Sequence, residues 1–457
     1  MNLNVRSQNC NFPFTSLPTL VVHHIAQYLN RRDRQNMAQV NRYLRKVFNS
    51  PRLWKDVKIR IPDKRIDPQA LESLRVRGVT DLDVCNVNFE LQSTTLQHRL
   101  ERLSLSVTRS ATLEVLSKAA SSGHLCNLKS LAFGDLDVII GRKSRITFLS
   151  LFKSLPMMEE VSFGHDSSFT ARQEICVPLT DETILAVDLK EALCYSGKLT
   201  SISLLCFEKV GKSWLNTVMI NNPHMQSLSL RRIKHFAEEG SDDAADPTVC
   251  SSLRTFQLTM PILAKFSWYS EAANKLLSWA FPGNKPNENV TSLELSTYMY
   301  LVSCESAIFP LHKKFPALKK LILTDSILLQ GYSLQSFPSF QNLEWLEIKH
   351  TTIRGNGLLF FSERVGKTLC YLGLPRQRLI RDYHLRDLAG MFPVLRTLDL
   401  SQCTCITDAI LVEWYIKHDK SEWPQLRKLV LKGCQGITQE VVNSVRLKTR
   451  NRLLIDL

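Results

Sequence analysis

A six-residue frame, apolar-x-x-apolar-x-apolar, recurs thirteen times along this chain and constrains its fold more than any other property. The copies begin at Val79, Leu100, Leu128, Met158, Leu199, Met225, Leu253, Val290, Leu318, Leu343, Leu369, Leu395 and Leu426. Nine of the twelve spacings fall between 25 and 31 residues. A steady period of that size marks a chain built by stacking one supersecondary unit on the next. It overrides any domain count drawn from the length of 457 residues. Each frame reads as a short strand. Alternate side chains leave opposite faces, so the last two apolar residues turn into a core and the intervening ones face outward. Helical patterns lie between strands, such as Leu113, Leu116 and Ala120, or Leu385, Leu388 and Met391. Pro156, Pro223, Pro316, Pro393 and Pro424 each stand two residues before a frame, where proline stops the preceding helix. The expected class is α/β, with a parallel sheet backed by helices.

The later copies, LRTLDLSQCTCITDAIL from Leu395 and LRKLVLKGCQGITQEVV from Leu426, share the form L-x-x-L-x-L-x-x-C-x-x-I-T. They resemble the cysteine-containing leucine-rich repeats common in F-box proteins. In physical terms, Cys403 and Cys434 are small buried side chains at a strand-to-helix turn, and Thr407 or Asp408, then Thr438, cap the helix that follows. A metal at Cys403 and Cys405 is the alternative. No nearby His or Cys completes four ligands, so the expectation is no metal.

Residues 14–57 read FTSLPTLVVHHIAQYLNRRDRQNMAQVNRYLRKVFNSPRLWKDV. Thr15 or Ser16 can cap a helix beginning near Pro18, with Val21, Val22, Ile25, Tyr28 and Leu29 on or near one face. Met37, Val40, Leu44 and Val47 form a second helical set, and Leu53 and Trp54 follow the helix stop at Ser50-Pro51. This is more apolar surface than so short a unit can bury alone, so it should dock on something. The segment resembles an F-box, matching L-P-x-E-I-L-x-x-I-x-x-Y-L, a charged turn, V-C-R-x-W and a closing L-W at Leu17, Pro18, Val21, Val22, Ile25, Tyr28, Leu29, Val40, Arg42, Leu53 and Trp54. It departs from that frame at Leu20 (usually Glu), Arg34 (usually Leu) and Asn41 (usually Cys), and Tyr43 and Leu44 lie near the position of a missing tryptophan. The resemblance implies a Skp-family adaptor bound through Leu17, Pro18, Val21, Val22, Ile25, Tyr28, Leu29, Val40, Leu53 and Trp54. Through the adaptor come a cullin and a RING subunit, and a protein substrate is held on the repeats for ubiquitination and proteasomal degradation. The alternative is a leucine-rich scaffold in which the helical unit serves as a cap.

The whole organisation then reads as a tail over 1–13, an F-box over 14–60, a linker or first solenoid turn over 61–78, and a curved solenoid of about thirteen repeats over 79–457. Longer gaps place insertions near 165–198, 232–252 and 260–289. The second holds the acidic run AEEGSDDAADP, read as a surface loop.

Residues 1–65 hold 13 Lys and Arg against three Asp, a surplus of ten within a chain of net charge +15. Such a block suits nucleic acid or an acidic protein. No aromatic stacking platform accompanies it, which argues for the acidic protein; the adaptor family implied by the resemblance is acidic. Twelve cysteines without a CxxC pair exclude a zinc ribbon and a disulfide framework, and suit a cytoplasmic or nuclear location. No apolar run reaches the roughly 18 residues of a membrane span, so no membrane partner is expected. Gly211-Lys212-Ser213 and Gly366-Lys367-Thr368 lack the earlier glycine of a phosphate loop, having Cys206 and Phe361 there. No serine-hydrolase, zinc-protease or Cys–His signature occurs. The chain is expected to have no catalytic residue and no cofactor, with transfer carried out by partner subunits.

Outward positions of the frame are small in the middle repeats (Ser130, Ala132 and Gly134; Ser201 and Ser203; Ser227 and Ser229) and larger later. Binding energy concentrates on aromatic and basic anchors. Trp345 and Tyr371, flanked by Lys320, Ile322 and Lys349, are therefore the expected substrate-binding cluster. The competing reading is that Trp345 packs sideways on its neighbours.

Overall fold

The computed structural model describes residues 17–54, 57–61, 68–84, 99–105, 110–134, 142–164, 178–179, 184–205, 207, 209–233, 235–237, 251–259, 275–281, 285–296, 311–324, 339–349, 353, 358, 362–386, 388–417 and 423–457. The acidic run over 238–246 and most of the three expected insertions lie outside them. The chain divides into two units, 1–158 and 159–457, each taken by itself.

The first unit begins with three helices, α1 (Thr19–Gln27), α2 (Arg31–Val40) and α3 (Arg42–Phe48), and a 3-10 turn at Pro51–Leu53. Pro18 is the N-cap of α1, with no side-chain hydrogen bond, and the expected caps Thr15 and Ser16 lie outside the described residues. The next two starts are capped by asparagine: Asn30 accepts from the Asp33 amide at 2.9 Å, and Asn41 from the Leu44 amide at 2.8 Å. Asn41, a departure from the F-box frame, thus satisfies a helix-end donor that a cysteine would leave to water.

Four parallel strands follow: β1 (Lys58–Ile61), β2 (Asp81–Val84), β3 (Arg102–Leu105) and β4 (Ser130–Phe133), paired in chain order. The helices Pro68–Val76 and Ser110–Ser121 make crossovers between them. In the second helix Leu113, Leu116 and Ala120 are buried, as their spacing requires.

The second unit carries eleven strands in one parallel ladder, again in chain order. They are β5 (Glu160–Phe163), β6 (Ser201–Leu205), β7 (Ser227–Arg231), β8 (Thr255–Thr259), β9 (Ser292–Ser296) and β10 (Lys320–Thr324). After these come β11 (Trp345–Lys349), β12 (Tyr371–Gly373), β13 (Thr397–Asp399), β14 (Lys428–Val430) and β15 (Leu454–Asp456). A second, three-stranded parallel sheet pairs Lys209–Gly211 with Pro178–Leu179 and His235–Ala237. One strand starts two residues into each of the thirteen sequence frames, from Asp81 to Lys428. Two strands of the main ladder lie outside that count. β1 pairs with β2 from within residues 14–60, and β15 follows the last frame.

The pairing is in register, so equivalent residues form rows across the ladder. The second residue of each strand makes a buried row, including Leu293, Leu321, Leu346, Leu372, Leu398 and Leu429, all fully enclosed. Each such side chain contributes roughly 1.5–3 kcal/mol by leaving water, and together they hold successive coils at a common spacing. Phe256, Phe281 and Phe315 interlock edge to face behind them, with centroids 5.2 and 4.7 Å apart.

Polar ties join the C-terminal repeats. Cys403 and Cys434 are buried, and their thiols donate to the Leu374 and Leu400 carbonyls at 3.2 and 3.1 Å. Burial pushes the Cys403 thiol up to about 12, so it stays a neutral donor. Among the described residues no His, Cys, Asp or Glu cluster could hold a metal. Thr407 and Thr438 cap their helices, accepting from the Ala409 and Val441 amides. Each is gripped by an acid one repeat earlier. Asp382 takes the Thr407 amide and hydroxyl at 2.9 and 2.6 Å, and Asp408 takes those of Thr438 at 2.8 Å each. Asp408→Ala is expected to cost about 1–2 kcal/mol. Hydrogen exchange of the amides over 437–448 checks it, and unchanged protection would show the clamp to be energetically idle.

Candidate functional site

Two surfaces gather the residues that sequence singles out. The first is on the helical unit. On α1, Leu20 and Val21 are 69% and 41% exposed, and Tyr28 just beyond its end is 80% exposed; Val40 at the end of α2 is 65% exposed. His24 stacks edge-on against Tyr28 at 5.4 Å, so ring surface runs along this side of the helix. Pro18 is exposed, and Leu17, Ile25 and Leu29 are half-buried. Val22, Leu53 and Trp54 are buried and therefore do not belong to a docking face. The i,i+4 pair Val22 and Ala26 points inward against the other helices, and Trp54 Nε1 donates to the Phe48 carbonyl at 2.5 Å. Leu20, a departure from the F-box frame, is the outward residue that sequence reasoning passed over. Arg32, Arg42, Arg45, Lys46 and Arg52 of the same helical unit are also exposed.

The unit is held by one side chain that the frame does not anticipate. Arg34 donates to four main-chain carbonyls: through Nε to Ala26 and Leu29 at 2.9 Å each, and through its terminal nitrogens to Leu53 at 2.6 Å and Gln27 at 3.1 Å. It thereby closes the carbonyl end of α1 and ties it to the turn before Trp54. Tyr43 donates to the Leu17 carbonyl at 2.9 Å and fixes the entry to the same helix.

The second surface is the outward face of the ladder across β10 to β13. Lys320, Trp345, Tyr371 and Thr397 occupy one row. Trp345 and Tyr371 are stacked, with centroids 3.5 Å apart and planes 6° from parallel, and the Lys320 ammonium lies 4.8 Å from the Trp345 centroid on the other strand neighbour. Trp345 thus has a ring on one side and a cation on the other, so it packs sideways and its faces are not offered to a ligand. Ile322 is buried in the adjacent row, and Lys349 is paired with Glu347 at 3.1 Å. Of the five residues expected as a cluster, Lys320, Trp345 and Tyr371 form a column, Ile322 lies beneath the surface and Lys349 is turned to an acid.

That adjacent row supplies what sequence reasoning missed. It holds Glu347, Gly373 and Asp399 on successive strands. A Cβ at Gly373 would meet Glu347 Cγ at 2.8 Å and Tyr371 Cε1 at 3.0 Å, so the glycine is the notch in which the phenol ring lies. The Tyr371 hydroxyl donates to Asp399 Oδ2 at 3.4 Å. Burial, followed by the Glu347 and Asp399 carboxylates, raises the Tyr371 phenol well above its ordinary value, so the ring keeps its proton.

A family model of F-box-like domains matches residues 14–60. Residues 14–60 are an F-box-like domain, and a parallel ladder with one strand per sequence frame follows it. The domain comprises α1 to α3, the turn carrying Trp54 and the start of the ladder. The repeats are the one-strand coils that follow. No curated protein sequence matches the chain. Among solved structures it is similar to a chain of the yeast Rad7 and Elc1 complex, at 14% identity and TM-score 0.45, covering 96% of each chain. It is also similar to a chain of a TLR13–ssRNA13 complex, at 14% identity and TM-score 0.40, covering 84% of this chain and 57% of that one. A third is the leucine-rich repeat-containing protein LegL7 from Legionella pneumophila, at 14% identity and TM-score 0.39, covering 66% of this chain and 92% of that one.

Proposed function

We propose that this chain is the substrate-recognition subunit of a Skp-cullin-F-box ubiquitin ligase. The observation that carries the reading is the outward apolar set of Leu20, Val21 and Tyr28 along α1 of an F-box-like domain. Large aliphatic and aromatic side chains exposed together on a helix favour a protein partner. The exposed basic residues of the same helical unit favour an acidic one, as the Skp-family adaptor implied by the resemblance would be. A cullin and a RING subunit would join through that adaptor. The chain itself would be non-catalytic, offering the outward face of its repeats to a protein substrate in the cytoplasm or nucleus.

Affinity purification of the full chain tests this. The wild type is expected to retain a Skp-type adaptor and a cullin, while a Val21→Asp, Tyr28→Asp double variant is expected to lose them by about a hundredfold and keep its fold. Two charges placed at the centre of an apolar interface remove several kcal/mol of affinity. Circular dichroism guards against unfolding. A wild-type chain that retains no such adaptor would sink the ligase reading and leave a leucine-rich scaffold.

A further inference from the structure

The column on the sheet face has unequal ends. At one end the Lys320 ammonium covers Trp345 at 4.8 Å. At the other, the Tyr371 face turned away from Trp345 looks toward Thr397, the next residue of the row. Strands lie about 4.8 Å apart, and a threonine side chain is too short to cover a phenol ring at that spacing. Among the described residues no ring or cation lies on that face. Asp399 stands beside it in the adjacent row, fixed by the Ser401 amide at 2.9 Å and the Ser401 hydroxyl at 2.5 Å, both on Oδ1. Among the described residues Oδ2 accepts only the long bond from Tyr371, and a carboxylate oxygen has room for a second donor. Glu347 lies on the other side of the same phenol. The nearby lysines are engaged elsewhere: Lys349 with Glu347, and Lys428 with Asp456 at 3.2 Å.

We infer that the open face of Tyr371, with Asp399 Oδ2 at its edge, receives an arginine side chain of a captured protein. The guanidinium would lie flat on the phenol, extending the stack of Lys320, Trp345 and Tyr371 by one cation, and its N–H groups would donate to Asp399. Planarity and forked donors suit arginine to a site that combines a ring face with a carboxylate. An acidic or phosphorylated segment would instead be set against Glu347 and Asp399. The ring is already held in the Gly373 notch, so little side-chain freedom is lost on binding. This inference rests on the reading of the repeats as a capture surface and names the chemistry that the surface selects.

The test is selection of random peptides displayed on phage by the immobilised full chain. Wild type is expected to enrich arginine at one position, and replacing that arginine by citrulline in a synthetic copy of the selected peptide is expected to weaken binding about tenfold or more. Asp399→Asn should reduce the enrichment. Thr397→Arg, which supplies a guanidinium from the chain itself and replaces a residue that is not buried, should abolish it while leaving the circular dichroism spectrum unchanged. Enrichment of acidic residues, enrichment of nothing, or arginine enrichment that persists in Thr397→Arg would each overturn the inference. Adaptor capture, measured on the same proteins, separates the two claims. Lost arginine selection with the adaptor retained refutes only this inference, and lost adaptor with selection retained refutes only the ligase reading.

Discussion

Trp54→Ala is expected to cost the helical unit about 3–5 kcal/mol, the range for removing a fully buried large aromatic. The ring is completely enclosed, its Nε1 supplies the Phe48 carbonyl at 2.5 Å, and the Arg77 guanidinium lies 4.7 Å from its centroid. Arg77 is itself oriented by Asn49, its Nε donating to Oδ1 at 2.9 Å. Alanine would open a cavity, orphan a carbonyl and take the ring from under a cation. Stacked repeats do not melt as one transition, so a global denaturation curve would blur the effect. Hydrogen exchange of the amides in α1 to α3 reads it locally, and protection there should fall by about a hundredfold to a few thousandfold. A fall of less than tenfold would mean that the unit is held chiefly by other contacts. Because Leu20, Val21 and Tyr28 depend on the placement of α1, the same variant should also lose adaptor capture.

Arg34→Leu restores the residue usual in the F-box frame and is nevertheless expected to destabilise this chain by about 2–4 kcal/mol. Charge-assisted hydrogen bonds contribute more than neutral ones, and carbonyls left without donors add to the loss. Three of the four acceptors, on Ala26, Gln27 and Leu29, are at the end of α1, where a helix leaves its carbonyls unsatisfied and favours a positive charge. The fourth, on Leu53, belongs to a different turn, so leucine would also cut the link between them. Lysine keeps the charge but has one nitrogen to share among four acceptors, and Arg34→Lys should fall between wild type and leucine. Exchange at the Tyr28 and Leu29 amides measures the series. Equal protection in wild type and Arg34→Leu would show that the clasp contributes nothing.

The strands were legible in sequence because burial in a ladder demands the same two apolar residues in every coil. The positions missed are those that obey weaker rules. The segment of β1, Val57-Lys58-Ile59-Arg60-Ile61, alternates without the leading leucine of the frame, and β15 has Ile455 and Leu457 in the frame but Arg452 at its leading position. In the F-box-like domain the frame marks apolar positions without distinguishing inside from outside. The i,i+4 step from Val22 to Ala26 carried that distinction and places Leu20 and Val21 on the opposite side. Arg34 read as a mismatch because its acceptors are brought near it only by folding. On the sheet face, counting lysines and aromatics led to Lys320, Trp345 and Tyr371. The adjacent row was written just as plainly, as Glu347, Gly373 and Asp399, but its importance depends on a ring that bends over a glycine.

The acid–threonine clamps have a consequence for how similar coils avoid being confused. Repeats with nearly interchangeable sequences can stack out of turn while the chain collapses, because any leucine row fits any other. The clamp is directional: a carboxylate reaches forward from Asp382 to Thr407, and the neighbouring Asp408 reaches forward to Thr438. Gln439 stands where the next carboxylate would be, and its amide turns to Asn443 within its own helix. A coil seated behind the wrong predecessor would lack its grip on one side or meet an amide on the other. These few polar atoms act as a key for sequence order, proofreading an assembly that the apolar core alone would accept in several arrangements.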